Sequence, residues 1–346
     1  MITVHINGIG TASPSHIVDQ DTVRSTVERV FGRAVEDLPR LLQVFEHGHI
    51  QTRRFVRPPE WYAERHGFAE TNAVYAQEAL RLATEAARIA LAGREEFVEA
   101  ILVATTTGIM TPSLDAALIQ SLGLSLHTKR IPIFGLGCAA GVAGLARAAE
   151  LSRSLSGALV LFVAVEVCSV TFQQTDASKS NIVGSSIFGD GAAAVCVSSQ
   201  GSGPIIGTGF STLFPDTEDI MGWDVADSGL RVRFSRDIPS FVLEHVPTVL
   251  REACATWGID LDEIEDVIAH PGGAKVLDAY AVATGKPPST FDIARDILRD
   301  FGNMSSVSVL FVLERWLQEP GPRPLALMSA LGPGFSAEQL LLRVAE

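Results

Sequence analysis

The sequence predicts a layered α/β fold, because short apolar runs that favour strands alternate along the chain with longer helical segments. Hydrophobic residues make up 47% of the 346 residues and charged residues only 19%, which is enough apolar material for a large core. No run of about 18 apolar residues is present, so no transmembrane helix is expected. The length is compatible with one large domain or with two.

The predicted strands are apolar runs at 2–8, 100–105, 130–134, 159–165, 192–197, 266–269, 324–330 and 340–344. The predicted helices lie at 72–92, 113–122, 137–153, 239–257, 273–284, 291–301 and 307–319. The helix at 72–92 is rich in alanine and carries its charges on one side, which suits packing against a sheet. A Ser/Gly-rich break at 198–204 suggests a seam between a first half, 1–198, and a second half, 199–346.

The segment 130–144 is predicted to place one thiol at the start of a helix. It begins as a β-prone run, turns on Gly135 and Gly137, and continues after Cys138 with small residues that suit a buried helix. The unpaired N–H groups and the dipole of a helix start favour a thiolate, the nucleophilic form of cysteine. The alternative is a thiol packed in the core, since free cysteine is among the most buried residue types.

Two other segments contain residues that could act with this thiol. His270 ends the apolar run 267–269, and Asn303 lies in a Gly/Ser-rich turn before the last long helix. A histidine can pair with a thiolate and pass protons, while an asparagine and a histidine can hold a developing oxyanion. Taken singly, such a histidine is more often structural and such an asparagine is usually a turn residue. Together with Cys138 they predict acyl-transfer chemistry, provided that the fold gathers them.

The sequence resembles the type III polyketide synthases, which belong to the chalcone synthase-like superfamily on the thiolase fold. Five stretches carry the resemblance: Gly-Leu-Gly-Cys-Ala-Ala-Gly at 135–141, Phe-Gly-Asp-Gly-Ala-Ala-Ala at 188–194, His-Pro-Gly-Gly at 270–273, Gly-Asn-Met-Ser-Ser at 302–306 and Gly-Pro-Gly-Phe at 332–335. The stretches at 53–62, 217–224 and 234–239 resemble the bacterial subgroup that makes long-chain alkylpyrones and alkylresorcinols. One departure is Ala330-Leu331, where plant members usually have Gly-Phe.

The resemblance implies a thiolase-like α/β fold, an internal duplication that forms a five-layer αβαβα sandwich. Its first half, 1–198, would carry the nucleophilic cysteine, and its second half, 199–346, would carry the histidine and the asparagine. Such proteins are usually homodimers. Two alternatives remain open: a ketoacyl synthase III-like enzyme, which usually reads His-Gln-Ala-Asn where this chain reads His-Pro-Gly-Gly, and a catalytically inactive scaffold, which retention of Cys138, His270 and Asn303 disfavours.

The resemblance also implies roles for individual residues. Cys138 would hold an acyl group from an acyl-CoA starter, expected to be fatty acyl, as a thioester. His270 and Asn303 would stabilise the enolate formed when malonyl-CoA loses carbon dioxide. Phe188 would be a gatekeeper between the coenzyme A tunnel and the acyl cavity. Seven further residues match cavity-lining positions, although each could be an ordinary buried residue: Thr106, Thr107, Cys168, Thr171, Trp223, Val232 and Ser305.

The implied substrates are coenzyme A thioesters, so no cofactor, metal or obligatory acyl carrier protein is expected. The net charge of −13 argues against nucleic-acid binding and requires a local basic patch for coenzyme A. Arg40 is the residue best in register with the coenzyme A contacts of plant relatives, and His47 is a weaker candidate. The other basic candidates, expected mostly to be solvated charges, are Arg53, Arg54, Arg57, Lys129 and Arg130.

The four cysteines are far apart and lack metal-ligand spacing, which fits a reducing, cytoplasmic setting. The N-terminal segment reads as a strand and lacks the basic region and long apolar run of a signal peptide. Gly8 and Gly10 follow this predicted strand, as in dinucleotide-binding loops, but a third glycine and a helix start are lacking. A redox cofactor is therefore not expected.

Overall fold

The computed structural model describes residues 2–32, 35, 37–319 and 324–344. Its strands are β1 His5–Ala12, β2 His16–Asp19, β3 Thr52–Phe55, β4 Val98–Ala104, β5 Lys129–Ile133, β6 Leu159–Val167, β7 Asp190–Ser198, β8 Ile205–Leu213, β9 Met221–Ala226, β10 Gly229–Phe234, β11 Asp266–Ala269, β12 Leu325–Gly332 and β13 Ser336–Arg343. Its α-helices are α1 Gln20–Phe31, α2 Leu38–Leu41, α3 Gln43–His47, α4 Phe68–Leu91, α5 Leu114–Leu122, α6 Ala140–Ser154, α7 Lys179–Ile187, α8 Ile238–Trp257, α9 Ala274–Thr284, α10 Asp292–Phe301 and α11 Ser308–Gln318.

Within the described residues, nine strands form one sheet in the order β11-β12-β13-β8-β1-β7-β6-β4-β5. The two halves of the chain contribute separate parts of this sheet, which join where His5 of β1 pairs with Ile205 of β8. In the first part β4 and β6 are parallel, and β6, β7 and β1 are antiparallel neighbours. In the second part β11 and β12 are parallel, and β12, β13 and β8 are antiparallel neighbours. The same pairing pattern therefore occurs twice, as expected for a duplicated fold.

The helices form three layers around the two parts of the sheet. The helices α4 and α5 pack on the outer side of the first part, and α8, with α9 against it, packs beside the second part. Between them, α6 contacts strands of both parts, and α11 contacts β11 as well as β1 and β7. Helices that contact both parts of the sheet form the central layer of the expected αβαβα sandwich, so the predicted layered α/β fold is confirmed.

The first strand extends further than the sequence suggested, through Gly8 and Gly10 to Ala12. A Cβ atom at Gly8 would lie 2.3 Å from the carbonyl oxygen of Ala90, and one at Gly10 would lie 2.5 Å from that of Ala86. These glycines let the helix α4 lie directly on β1. Their spacing therefore reflects close packing and not a ligand loop.

The segments that sequence patterns did not predict include α1 to α3, β2, β3, α7 and the strands β8 to β10. The helix α1 and the strands β2 and β3 share a separate apolar core with residues of α3 and α7, among them Val23, Phe31, Phe45, Phe55 and Ile182. The strands β9 and β10 form a two-stranded hairpin. Within the described ranges, no helix is both long enough and apolar enough to cross a membrane.

Candidate active site

Cys138, His270 and Asn303 line one cavity, called here the main cavity. The volume of the main cavity is about 440 Å³. Cys138 lies in the 3-10 turn Gly137–Ala139 before α6, His270 directly follows β11, and Asn303 lies between α10 and α11. All three side chains are buried. The fold thus brings together the three residues that the sequence analysis selected for acyl-transfer chemistry.

The turn that carries Cys138 is supported by the Gly332–Phe335 loop. Gly137 has a φ angle of +46°, and a Cβ atom there would lie 2.8 Å from Cδ of Pro333. Only glycine fits both this backbone conformation and this close approach. Of the two residues that depart from the plant pattern, Leu331 lines the main cavity and Ala330 is fully buried.

Burial governs the charge of the Cys138 thiol. Desolvation raises the pKa of Cys138 to about 11, and the contacts with Ser305 and Asn303 only partly oppose this. The Sγ atom lies 3.6 Å from Oγ of Ser305. The helix start therefore does not by itself produce a thiolate, and the thiol is neutral near pH 7 in this structure.

His270 is also neutral, because burial lowers its pKa to about 3. Among the described residues, neither of its ring nitrogens has a hydrogen-bond partner. A buried polar atom without a partner costs free energy, and such groups in native proteins often have a functional role. The imidazole therefore has both nitrogens available to a bound molecule, one as a donor and one as an acceptor.

The amide of Asn303 is held in a defined orientation. Its Oδ1 accepts a hydrogen bond from the N–H of Ser305 at 2.8 Å, and its Nδ2 donates to the carbonyl oxygen of Gly272 at 3.2 Å. Ser305 has a φ angle of +49°, a left-handed conformation that is strained for a non-glycine residue and is often found at functional sites. The same amide also contacts the Cys138 thiol, and this contact opposes the rise in the pKa of that thiol.

Glu166 is a buried acid that the sequence analysis missed. Its carboxylate accepts hydrogen bonds from the N–H of Thr106, Oγ1 of Thr107 and Oγ of Ser306, all between 2.8 and 3.0 Å. Burial raises its pKa to about 7, and its charge raises the pKa of Cys138. Thr106 and Thr107 thus bind Glu166 and do not line the main cavity. A single charged residue inside the apolar run of β6 was the available signal.

A second cavity, called here the narrow cavity, lies between α1 and α7. It is lined by four predicted residues, Cys168, Thr171, Phe188 and Val232, together with mainly apolar side chains of α1, β2 and β3. The volume of the narrow cavity is only about 50 Å³. It is thus a small, largely apolar cavity that reaches the predicted gatekeeper.

The ring of Phe188 packs against the β9–β10 hairpin. Trp223 stacks on it with ring centroids 5.8 Å apart, and Phe234 lies 5.6 Å from it. Trp223 is half-buried and lines neither the main nor the narrow cavity, whereas Val232, opposite it in the hairpin, lines the narrow one. The predicted contact of Trp223 with the acyl chain is therefore indirect in this structure, through Phe188.

Arg40 lines the main cavity, and so do His47, Lys179 and Lys275. Of the other basic candidates, Arg53 is fully buried, while Lys129 and Arg130 lie on the strand β5 at the edge of the sheet. In the part of the chain that the structure describes, no cluster of His, Cys, Asp or Glu could hold a metal ion.

A thiol, an imidazole and an amide that share one buried cavity can carry out acyl transfer through a thioester. Models of the N-terminal and C-terminal domains of chalcone and stilbene synthases match residues 3–204 and 206–345. A putative chalcone synthase of Bacillus subtilis is 41% identical to the chain, with 97% of each protein covered. The alpha-pyrone synthesis polyketide synthase-like Pks18 of Mycobacterium tuberculosis is 28% identical, with 98% of this chain and 91% of that protein covered.

The crystal structure of 1,3,6,8-tetrahydroxynaphthalene synthase from Streptomyces coelicolor, a bacterial type III polyketide synthase, is similar over the whole fold. The TM-score is 0.94 at 30% sequence identity, with 99% of each chain covered. The chain therefore belongs to the chalcone and stilbene synthase family and is a type III polyketide synthase, an acyltransferase that catalyses decarboxylative condensation. The expected thiolase-like fold is confirmed by the same similarity.

Proposed function

We propose that the enzyme loads a fatty acyl group from an acyl-CoA starter onto Cys138, extends it with malonyl-CoA and releases alkylpyrone or alkylresorcinol products. The narrow cavity is the observation that carries the fatty-acyl assignment. It is largely apolar, and its lining includes Cys168 and Phe188, whose backbone is bridged to that of Asn303. The similarity to the alpha-pyrone synthesis protein supports the product class.

In the proposed loading step, Sγ of Cys138 attacks the thioester carbon of the starter. The thiol proton passes to His270, the bond to coenzyme A breaks, and the coenzyme A sulfur takes the proton as it leaves. Because the thiol and the imidazole are both neutral before the reaction, the proton transfer creates an ion pair whose two charges stabilise each other. The acyl chain then extends past Phe188 into the narrow cavity.

In the proposed extension step, malonyl-CoA loses carbon dioxide and its thioester becomes an enolate. The enolate oxygen is stabilised by the side-chain amide of Asn303 and by an N–H of His270. The enolate carbon attacks the Cys138 thioester, a carbon–carbon bond forms, and the bond to Sγ breaks to leave the Cys138 thiolate, which takes a proton from water to return to the neutral thiol. The lengthened chain is then attached to coenzyme A. These steps consume no cofactor or reductant and require no acyl carrier protein.

The partners proposed for the chain are coenzyme A thioesters and a second copy of itself. Arg40, Lys179 and Lys275 line the main cavity and supply positive charge for the phosphates of coenzyme A. The strand β5 ends the sheet with exposed apolar residues such as Ile131, which suits pairing in a homodimer. Four free cysteines fit the proposed cytoplasmic location.

The test is to incubate the enzyme with malonyl-CoA and acyl-CoA starters of graded chain length, from acetyl to octadecanoyl, and to identify products by mass spectrometry. We expect long starters to give alkylated pyrones or resorcinols with the highest kcat/KM. Products made from malonyl-CoA alone, with no use of long starters, would contradict the fatty-acyl assignment. A second assay offers the malonyl group on an acyl carrier protein instead of on coenzyme A. Condensation that requires the carrier protein would support the ketoacyl synthase III-like alternative. An absence of all turnover would support the inactive-scaffold alternative.

A further inference from the structure

Arg53 is fully buried, and its guanidinium donates hydrogen bonds to three main-chain carbonyls. Its Nη1 donates to the carbonyl oxygens of Ser185 at 2.9 Å and Phe188 at 3.2 Å, and its Nη2 donates to that of Ser186 at 2.9 Å. The ion pairs found among the described residues do not include Arg53. Burial lowers its pKa to about 9, so the side chain remains charged near neutral pH. An unpaired buried charge is costly, which points to a specific task.

The three carbonyls belong to the end of α7 and to the gatekeeper itself. The last carbonyls of a helix lack partners within the helix and must be satisfied from outside. Here Arg53 satisfies those of Ser185 and Ser186, with Gln20 adding a bond to Ser186 at 3.1 Å. The planar fork of an arginine can bind several acceptors at once, which a lysine cannot do.

The same segment is tied to the catalytic asparagine. The N–H of Asn303 donates to the carbonyl oxygen of Ile187 at 2.7 Å, and the N–H of Gly189 donates to that of Asn303 at 3.0 Å. Phe188 and Asn303 thus form an isolated parallel bridge. Arg53 holds one side of this bridge through Phe188, and the other side carries the amide that faces the main cavity.

We propose that Arg53 is a positioning residue that fixes the backbone of Phe188 and, through the Phe188–Asn303 bridge, the place of the Asn303 amide during decarboxylation. This inference rests on the proposed function, because it assigns the oxyanion contact to Asn303. It predicts that loss of Arg53 affects decarboxylation more than the loading of Cys138, which does not require the Asn303 amide.

The test compares Arg53→Met and Arg53→Lys with the unmodified enzyme at equal concentrations of folded protein. One assay measures kcat for release of carbon dioxide from malonyl-CoA, and another measures acyl loading of Cys138 by intact-protein mass spectrometry. Because a misplacement of about 1 Å costs about 100-fold in rate, we expect Arg53→Met to lower decarboxylation about 10- to 100-fold while loading stays within about twofold. Arg53→Lys should retain more of the decarboxylation rate than Arg53→Met does.

Arg94→Met is the matched control. Arg94 also donates to three main-chain carbonyls, those of Ala90 and Leu91 at the end of α4 and that of Asn7 on β1, and it lines neither cavity. It should reduce stability without changing the ratio of decarboxylation to loading. An unchanged ratio in Arg53→Met, or an Arg53→Lys variant that does not fold while Arg94→Met does, would overturn the inference. No decarboxylation by the unmodified enzyme would instead contradict the proposed function, and this inference with it.

Discussion

Cys138 and His270 are both neutral because each is buried, and this sets how they can react. Burial raises the pKa of Cys138 and lowers that of His270, so neither residue carries a charge before substrate binds. A proton that moves from the thiol to the imidazole forms both charges together, which is less costly than forming either alone. We therefore expect the rate of acyl loading to depend on how a bound thioester positions the Cys138 thiol and the His270 imidazole.

Replacing Cys138 or Asn303 should separate the two halves of the reaction. Cys138→Ala should abolish product formation but retain slow decarboxylation of malonyl-CoA, because the enolate is stabilised by other residues. Asn303→Ala should lower decarboxylation about 100- to 1000-fold, the usual cost of one oxyanion donor, while Cys138 still accepts an acyl group. Release of carbon dioxide and the mass of the acyl-enzyme are the measurements. Normal product from Cys138→Ala would exclude it as the nucleophile.

Glu166 should make stability depend on pH. Its pKa rises from 4.5 to about 7 on folding, so the folded protein keeps a proton that the unfolded chain loses in this range. The resulting stabilisation is complete below pH 4.5 and is lost as the pH rises to about 7. Glu166→Gln is neutral throughout, so its free energy of unfolding relative to the unmodified enzyme should increase across that window, by about 3 kcal/mol at most. Urea unfolding at several pH values measures this change.

Asp190→Asn is the control for this prediction. Asp190 is an equally buried acid with a pKa raised to about 7, but its carboxylate binds Ser169 and the N–H of Val56. Both variants should show the change in stability. Only Glu166→Gln should lower the pKa of Cys138, seen as faster alkylation of the thiol at alkaline pH. An equal effect of both variants on alkylation would contradict the assigned contact.

The three central residues were predictable because each lies in a short motif whose neighbours specify a turn. Glu166 was not, since its role depends on Thr107 and Ser306, which are distant in sequence. The sequence predicts Arg53 only as a cation near the coenzyme A entrance, because a basic side chain is rarely buried without an acidic partner. Sequence can show which groups carry chemistry, but burial decides their charge.

The elements that enclose the narrow cavity were the hardest to predict. The helix α1 carried a usable signal: Asp19 accepts a hydrogen bond from the N–H of Thr22, and Val23, Val27 and Phe31 repeat every four residues. The strands β8 to β10 are partly exposed and mix polar with apolar residues, so their periodicity is weak. These elements depend on packing against distant segments, which a local pattern does not record.

A methyl group at Gly184 should reduce the volume of the narrow cavity and favour acyl starters with shorter chains. Gly184 is on α7, and a Cβ atom there would lie 3.1 Å from Cγ1 of Val232 and 3.3 Å from the ring of Phe188. Gly184→Ala should therefore reduce kcat/KM for octadecanoyl-CoA at least about tenfold more than for butanoyl-CoA, equivalent to about 1.4 kcal/mol. The same change at Gly67, where a Cβ atom would have no atom of the described residues beyond its chain neighbours within 4 Å, is the control. An equal effect on both starters would exclude this cavity as the acyl site.

At the scale of the whole molecule, the alternation of strands and helices was enough to predict the layers. It did not reveal that the two halves join into one sheet, because a single pair at His5 and Ile205 makes that junction. The first half also has the additional strand β5 at the edge of the sheet, next to β4.

Association through β5 should depend on its exposed apolar side chains. Ile131 lies on this edge strand and is 37% exposed. Phe134, the first residue after the strand, is 61% exposed. Ile131→Asp should convert a homodimer to a monomer, because a carboxylate is costly to bury in an interface. Val282→Asp places the same charge on α9, where Val282 is 72% exposed, and should not change the mass measured by light scattering. A dimer that persists in Ile131→Asp would place the interface elsewhere.

The net charge of −13 makes the binding of coenzyme A thioesters depend on a few local cations. Lys275 lines the main cavity, so Lys275→Met should raise KM for malonyl-CoA about tenfold, the loss of one charge-assisted contact. The value of kcat should change little, and KM should become less sensitive to salt. Lys286→Met, a neutralisation outside this cavity, is the control.

The decisive measurement uses malonyl-N-acetylcysteamine, which has the thioester but lacks the phosphates. Its KM should be the same for Lys275→Met and the unmodified enzyme, and an equal rise with both substrates would mean that Lys275 shapes the cavity and does not bind phosphate.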